Sequence, residues 1–230
     1  MPELKKLDIS PSIAIILAGG LIAGAIFFTS YYPSGQITAP VDAAGKVAAV
    51  SIRAPGATDH QYGSLTAPVV MVEYSDFQCP YCALIHATLK RIVDESNGEI
   101  AWVYRHFPLD SIHSQATPAA LASECIAEQL GEKGFWEFAE KIFANQKSMS
   151  AAYYTQVAGE LGANTTTFNA CVASQKHASK IDTDAQEAFD NGGNGTPFTV
   201  VVSGGKQVPF SGALPYAQIM AVIKNVQGRQ

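Results

Sequence analysis

The chain of 230 residues contains few charged side chains and only four cysteines. Charged residues make up 15% of it, against about a quarter in an average globular protein, which argues against both a disordered chain and a coiled coil. Basic residues are outnumbered 15 to 20, so the net charge is −5. Binding to nucleic acid needs a basic surface that replaces phosphate counterions, and no stretch of the sequence supplies one. Nucleic acid is therefore excluded as a partner.

The N-terminal region contains a long uncharged stretch. Residues 12–29 consist mainly of Ile, Ala, Leu, Gly and Phe and would form about 27 Å of helix, close to the thickness of a bilayer core. Lys5 and Lys6 precede the stretch and the next basic residue is Lys46, a charge bias that predicts a cytoplasmic N-terminus. A cleaved signal peptide is one alternative, but its apolar region is usually about 7 to 15 residues long, and no small-x-small site follows here. A buried core helix is the other alternative. In each membrane interpretation the rest of the chain is exported.

These features divide the chain into three parts. Residues 1–32 are predicted to be a short cytoplasmic segment and a single-pass membrane anchor, and residues 33–46, rich in Pro, Gly, Ala, Ser and Thr, to be a linker. Residues 47–230 are predicted to form a domain outside the cytoplasm, in the periplasm or on the outer face of the cell membrane. Its apolar patterns predict an α/β fold. In order, the predicted elements are strands at 47–53, 69–74 and 100–107 with a helix at 82–93, a helical block at about 115–191, a hairpin at 198–202 and 206–210, and a helix at 215–226.

Cys79 and Cys82 form a C-x-x-C motif between the strongest predicted strand and the helix that follows it. Cys79 is expected at the helix N-terminus, where free backbone N–H groups and the helix dipole stabilise a thiolate. A lowered pKa makes Cys79 both a nucleophile and a good leaving group. Pro80 suits the first helical turn, and Cys82 is expected to be more buried. This context predicts redox chemistry.

A zinc site is the alternative interpretation of the cysteines. Structural zinc sites usually pair two C-x-x-C motifs, whereas Cys125 and Cys171 stand alone on separate predicted helices. The five histidines show no metal-ligand spacing, and we expect each at the surface or beside a site rather than as a ligand. We therefore predict no metal and no cofactor.

We predict a structural disulfide between Cys125 and Cys171. Both lie on apolar helix faces, and export would place them in an oxidising compartment. The alternative is two buried free cysteines that act as small hydrophobic residues.

Several stretches carry a resemblance to a known family. The longest is APVVMVEYSDFQCPYC at residues 67–82, and it is accompanied by RHFPL at 105–109 with His113, GFW at 134–136 and GTPF at 195–198. In combination these stretches resemble the DsbA-like thiol-disulfide oxidoreductases of the thioredoxin superfamily. The resemblance implies a thioredoxin-like α/β fold with a helical domain inserted at about 113–191.

The resemblance also implies roles for individual residues. Pro197 matches a cis-proline that faces the active-site disulfide, and Thr196, Pro80 and Tyr81 fall where this family contacts its substrate. Glu73 matches a buried carboxylate beneath the active site, where a raised pKa would let it shuttle the proton of Cys82. The alternative is that Glu73 points to solvent, because strand exposure cannot be inferred from so continuous an apolar run.

These implications predict a monomeric dithiol oxidase that acts on unfolded or reduced exported proteins. The family resemblance implies a membrane oxidant of the DsbB or vitamin K epoxide reductase type as its redox partner. A reductase or isomerase on the same fold is the first alternative, since the Pro80-Tyr81 dipeptide does not settle direction. The second is a non-catalytic binding or chaperone module with a cysteine cluster.

Overall fold

The computed structural model describes residues 50–228. The predicted anchor and linker, residues 1–46, lie outside the described residues, as do residues 47–49. Within residues 50–228, no helix is both long enough and apolar enough to cross a membrane.

The described strands form one mixed sheet in the order β1-β3-β2-β4-β5. β2 and β3 are parallel, and all other neighbours in this sheet are antiparallel. The strands are β1 His60–Tyr62, β2 Val69–Ser75, β3 Ile100–His106, β4 Phe198–Ser203 and β5 Lys206–Ser211. The helices are α1 Pro80–Glu95, α2 Ala116–Ala144, α3 Ala151–Glu160, α4 Thr165–Ser174, α5 Ala178–Asp190 and α6 Tyr216–Gln227, with a 3₁₀ turn at Gln146–Ser148.

The central unit β2-α1-β3 follows from local sequence. Every residue of β2 and β3 is buried, as expected for a parallel pair covered on both faces. α1 begins with Pro80, whose missing N–H costs nothing at the first helical position. The chain leaves α1 through Asn97 and Gly98, at φ values of 53° and 85°. Gly98 reaches this left-handed region without steric cost and so ends the helix.

The two faces of the sheet are covered by different helices. Met71 and Trp102 pack with Ile85 of α1 and Ile219 of α6 in the larger core, which also includes apolar residues of α2. Val72 lies in the smaller core on the opposite face, which includes a residue of α5. Since side chains of a strand alternate between faces, Glu73 and Ser75 share the face of Met71, towards α1.

The helices α2 to α5 lie between β3 and β4, which confirms the predicted helical insertion. A disulfide joins Cys125 of α2 to Cys171 of α4, with a Cα–Cα distance of 5.9 Å. The predicted disulfide is therefore confirmed, and the alternative of two free cysteines is wrong. Asn164 caps α4, because its side chain accepts a hydrogen bond from the Thr167 N–H at 2.9 Å.

The strand predicted at residues 47–53 is wrong for its described part, because residues 50–53 have no regular secondary structure. Their amides are satisfied by side chains instead of by a neighbouring strand. The edge of the sheet beside β3 is formed by β1, which the apolar pattern did not indicate. The N–H groups of Ser51, Ile52 and Arg53 donate to Asn191 Oδ1 (2.7 Å), Gln207 Oε1 (2.9 Å) and Glu187 Oε1 (2.7 Å).

A buried arginine links the sheet to α5 and to the loop before β1. Arg105 of β3 is fully buried, and its Nε and Nη2 donate to the two carboxylate oxygens of Asp59 at 2.8 and 2.9 Å. Its Nη1 donates to Glu187 Oε2 at 2.8 Å. Removing Arg105 would take from both carboxylates their buried cation and leave them only the partly exposed Arg53, which also contacts Asp59 and Glu187.

Candidate active site

Cys79 is the N-cap residue of α1, as its position in the sequence suggested. Its Sγ lies 3.4 Å from the carbonyl oxygen of Thr196, and the Thr196–Pro197 peptide bond is cis. The loop before β4 therefore faces the first cysteine. Pro80 and Tyr81 are exposed beside it, Tyr81 with 61% of its surface accessible.

The surroundings of Cys79 favour its thiolate. A hydrogen bond from the Cys82 thiol contributes most, and the side chain of Thr196 and the N–H groups of Cys82 and Tyr81 add to it. Burial opposes these effects, but together they lower the pKa of Cys79 to about 6. Cys79 therefore has the character of a nucleophile and a leaving group at neutral pH.

Cys82 has the opposite electrostatic environment. It is fully buried, and burial, followed by the neighbouring groups of Cys79 and Glu73, raises its pKa well above the usual value for a thiol. The N–H of Asp76 donates to its Sγ at 3.4 Å. At neutral pH the reduced pair therefore holds its proton on Cys82.

Glu73 lies buried on the α1-facing side of β2, with 1% of its surface accessible. Its Oε1 accepts a hydrogen bond from Ser75 Oγ at 2.7 Å, and its Oε2 accepts one from Trp102 Nε1 at 3.0 Å. Burial raises the pKa of Glu73 to about 8, against the two hydrogen bonds, which lower it. The alternative in which Glu73 points to solvent is wrong. A carboxyl group with this pKa can both give and take a proton near neutral pH.

Polar side chains from the helical insertion hold the loop before Cys79. Gln146 Nε2 donates to the carbonyl oxygens of Phe77 and Cys79, each at 2.9 Å. Asp76, one residue after β2, accepts a hydrogen bond from His113 Nδ1 at 2.7 Å. No sequence pattern indicates Gln146, because its two contacts join residues 69 and 67 positions apart in the chain.

Three of the five histidines are buried, so for these three the surface part of the prediction is wrong. His60 Nε2 and His106 Nε2 lie 2.9 and 2.8 Å from the same oxygen of Glu124, and Lys180 Nζ lies 2.8 Å from that oxygen too. Although burial opposes them, hydrogen bonds from the two histidines lower the pKa of Glu124. Two nitrogens and a carboxylate could in principle hold a metal, but the Lys180 ammonium already occupies a cation position on the shared oxygen. The group is best described as a buried ion-pair cluster. The third, His86, packs on aromatic rings in the core.

The four cysteines cannot together form a zinc site in this structure. The sulfurs of Cys125 and Cys171 are bonded to each other, so neither offers a thiolate, although His177 lies beside them. Only Cys79 and Cys82 are free thiols.

Comparisons with known proteins agree with this arrangement. The family described as Thioredoxin matches residues 56–225. The chain belongs to the thioredoxin family.

Solved structures of DsbA proteins share the fold. BdbD from Bacillus subtilis gives a TM-score of 0.66 at 21% identity and covers 78% of this chain and 98% of its own. DsbA2 from Pseudomonas aeruginosa gives 0.63 at 25% identity, over 75% and 96%. The alpha-DsbA1 of Wolbachia pipientis gives 0.65 at 23% identity, over 76% and 93%. The chain thus belongs to the thioredoxin family and has the fold of the DsbA proteins.

Curated relatives match in sequence but are much longer. The Na(+)/H(+) antiporter NhaA 3 of Salinispora tropica is 34% identical over 146 residues, which are 64% of this chain and 22% of that protein. NhaA 1 of Mycobacterium sp. (strain KMS) is 32% identical over 191 residues, 81% of this chain and 30% of that protein. The chain spans less than a third of the length of these relatives, so the word antiporter in their names describes those longer proteins.

Proposed function

We propose that the chain is a dithiol oxidase that introduces disulfides into exported proteins. The observation that carries the proposal is the stabilised thiolate of Cys79, with its pKa lowered to about 6 by the Cys82 thiol and the neighbouring groups. Stabilising the thiolate stabilises the reduced enzyme. The Cys79–Cys82 disulfide of the oxidised enzyme is then readily reduced by a substrate dithiol, which makes it an oxidant.

The reaction is two thiol-disulfide exchanges. A substrate thiolate attacks Sγ of Cys79, the Cys79–Cys82 bond breaks, and Cys82 leaves with the electron pair. A second thiolate of the substrate then attacks its own sulfur in the mixed disulfide, and Cys79 leaves as the stabilised thiolate. The substrate loses two electrons and the enzyme gains them.

The surface around Cys79 suits an extended polypeptide. Tyr81 and Leu84 at the start of α1 are exposed by 61% and 64%, so an unfolded chain meets apolar surface beside the reactive sulfur. The carbonyl oxygen of Thr196, before Pro197, also lies beside that sulfur, and the substrate backbone can add alongside this loop.

Glu73 is proposed to supply and recover the proton of Cys82. When Cys82 leaves as a thiolate its pKa is far above neutral, so it needs a proton at once. Protonated Glu73, with its pKa near 8, is a buried acid whose charge, when ionised, raises the pKa of Cys82.

We infer that the domain works outside the cytoplasm and is reoxidised by a membrane oxidant of the DsbB or vitamin K epoxide reductase type. The Cys125–Cys171 disulfide supports an oxidising compartment, because such bonds persist mainly there. The uncharged stretch at residues 12–29 supports a membrane anchor. We propose that the enzyme acts as a monomer.

Equilibration of the Cys79–Cys82 pair with glutathione buffers tests the direction of the reaction. An oxidase is expected to show a reduction potential above about −200 mV, towards the value of about −120 mV known for DsbA. A potential near the −270 mV or so of thioredoxin would refute the oxidase and favour a reductase.

A trapping variant tests the roles of the two cysteines. Cys82→Ser removes the thiol that can attack Cys79 and release a bound substrate. Mixed disulfides between Cys79 and exported proteins are therefore expected on a non-reducing gel. The matched Cys79→Ser variant should trap none. Equal trapping by both variants would contradict the assigned roles.

A further inference from the structure

A serine hydroxyl lies between the buried cysteine and the buried carboxyl group. Ser75 is the last residue of β2 and is buried, with 1% of its surface accessible. It stands two residues after Glu73, so both side chains emerge on the same face of the strand. Its Oγ lies 2.7 Å from Oε1 of Glu73, a short hydrogen bond within the usual range.

The same hydroxyl is a neighbour of Cys82. The N–H of Asp76, the residue next to Ser75, donates to Cys82 Sγ at 3.4 Å, which holds the sulfur against the end of β2. The Ser75 side chain lowers the pKa of Cys82 through hydrogen bonding, against the larger effect of burial. One hydroxyl thus neighbours both the group that must gain or lose a proton and the carboxyl group assigned to exchange it.

The indole of Trp102 cannot take this place. Trp102 Nε1 donates to the other oxygen of Glu73, and an indole N–H has no lone pair with which to pass a proton on. A hydroxyl both accepts and donates, so Ser75 can transmit a proton in either direction.

We propose that Ser75 is the proton relay between Cys82 and Glu73. The inference rests on the proposed function of Glu73 and adds the route by which the proton moves. When substrate attack on Cys79 releases the Cys82 thiolate, Ser75 gives its hydroxyl proton to Cys82 Sγ and takes one from Glu73 Oε1. Glu73 ends as a carboxylate, Cys82 as a thiol, and Ser75 is unchanged.

The reverse transfer serves resolution of a mixed disulfide on Cys79. Glu73 carboxylate takes the Ser75 proton while Ser75 takes that of Cys82. The resulting Cys82 thiolate attacks Cys79 Sγ, the Cys79–Cys82 bond forms, and the bound thiol leaves as a thiolate with the electron pair.

The reaction of reduced enzyme with excess dithionitrobenzoate separates the two steps. Cys79 thiolate releases one thionitrobenzoate in a first phase, and Cys82 displaces the second in a slower phase, both visible at the same wavelength. Ser75→Ala should slow the second phase at least about tenfold, as expected for lost general base catalysis, and leave the first phase within about twofold. Ser75→Thr, which keeps the hydroxyl, should recover most of the rate.

A buried serine of α2, in a different element from Cys79 and Cys82, provides the matched control. Ser123 is fully buried in α2 and its hydroxyl donates to the Ala120 carbonyl at 2.8 Å. Ser123→Ala should leave both phases unchanged. If Ser75→Ala does not fold, Ser75→Gly is the second variant without a hydroxyl and carries the same expectation.

Glu73→Gln distinguishes failure of the relay from failure of the proposed function. If Ser75 relays to Glu73, the double variant Ser75→Ala/Glu73→Gln is no slower in the second phase than the slower single variant. A second phase slowed by Glu73→Gln but not by Ser75→Ala would overturn the relay alone. A second phase unaffected by Glu73→Gln would overturn the role of Glu73 and the relay with it.

Discussion

Replacing Glu73 with glutamine should stabilise the protein while slowing its chemistry. Burial raises the pKa of Glu73 from 4.5 to about 8, so the folded state keeps a proton that the unfolded state releases above pH 4.5. The contribution of Glu73 to the free energy of unfolding is therefore fully present below pH 4.5, and it is lost as the pH rises towards and through 8. Glutamine is neutral in the folded and the unfolded state, so its contribution to stability does not fall as the pH rises. The oxygen of its side-chain amide can still accept the Trp102 hydrogen bond.

The size of the effect follows from the two pKa values. Each pH unit is worth about 1.4 kcal/mol, so the interval from 4.5 to 7 corresponds to a gain of about 3 kcal/mol in the free energy of unfolding at pH 7. Above pH 8 the gain should level off at about 5 kcal/mol.

Denaturant unfolding of oxidised wild type and Glu73→Gln, at intervals between pH 5 and 8.5, measures this difference. In the oxidised protein Cys79 has no thiolate, and burial, the largest cause of the raised pKa, remains. Glu140→Gln, at an exposed glutamate of α2, is the control and should follow the wild type throughout. A stability difference between Glu73→Gln and wild type that stays constant from pH 5 to 8 would refute the reasoning.

Further measurements address the other features. Alkylation of the reduced protein by iodoacetamide should label Cys79 with a half-maximal rate near pH 6 and leave Cys82 unlabelled, as read by mass spectrometry; labelling of Cys82 first would contradict the assignment. Cys125→Ala/Cys171→Ala should lower the free energy of unfolding by about 3 to 5 kcal/mol, since the disulfide closes a loop with a sequence separation of 46, and unchanged unfolding would contradict this. Arg105→Gln should cost at most about 3 to 5 kcal/mol in the same assay, because Asp59 and Glu187 lose their buried cation and keep only the partly exposed Arg53; a loss under 1 kcal/mol or so would show that Arg53 suffices.

Much of the fold could be predicted because its central elements are specified locally. The β-branched run of β2, the apolar face of α1 and the turn at Asn97-Gly98 lie close together in the chain. β1 could not be predicted in this way, since a three-residue edge strand is too short to show a period. Residues 50–53 look like a strand in composition, but side chains from distant segments satisfy their amides.

The active site divides in the same way. Cys79 and Cys82 could be predicted from their spacing, and Glu73 from the occurrence of a charged residue inside an apolar run. The neighbours that complete the site come from far along the chain, and no pattern links them to it. The meeting of His60 and His106 at Glu124 likewise depends on three elements packing together, which the sequence spacing of histidines does not reveal.

The hydrogen bonds of Gln146 set a limit on how this protein can be simplified. An engineer who replaced α2 to α5 with a short crossover would recover a smaller sheet protein with the same C-x-x-C motif. In that chimera the carbonyl oxygens of Phe77 and Cys79 would lose their donor, and Gln78 would lose the N–H of Gln115, which it accepts at 2.6 Å. The helices therefore cannot be treated as an interchangeable accessory. A transplant of the reactive loop into another scaffold would have to bring Gln146 or an equivalent amide with it.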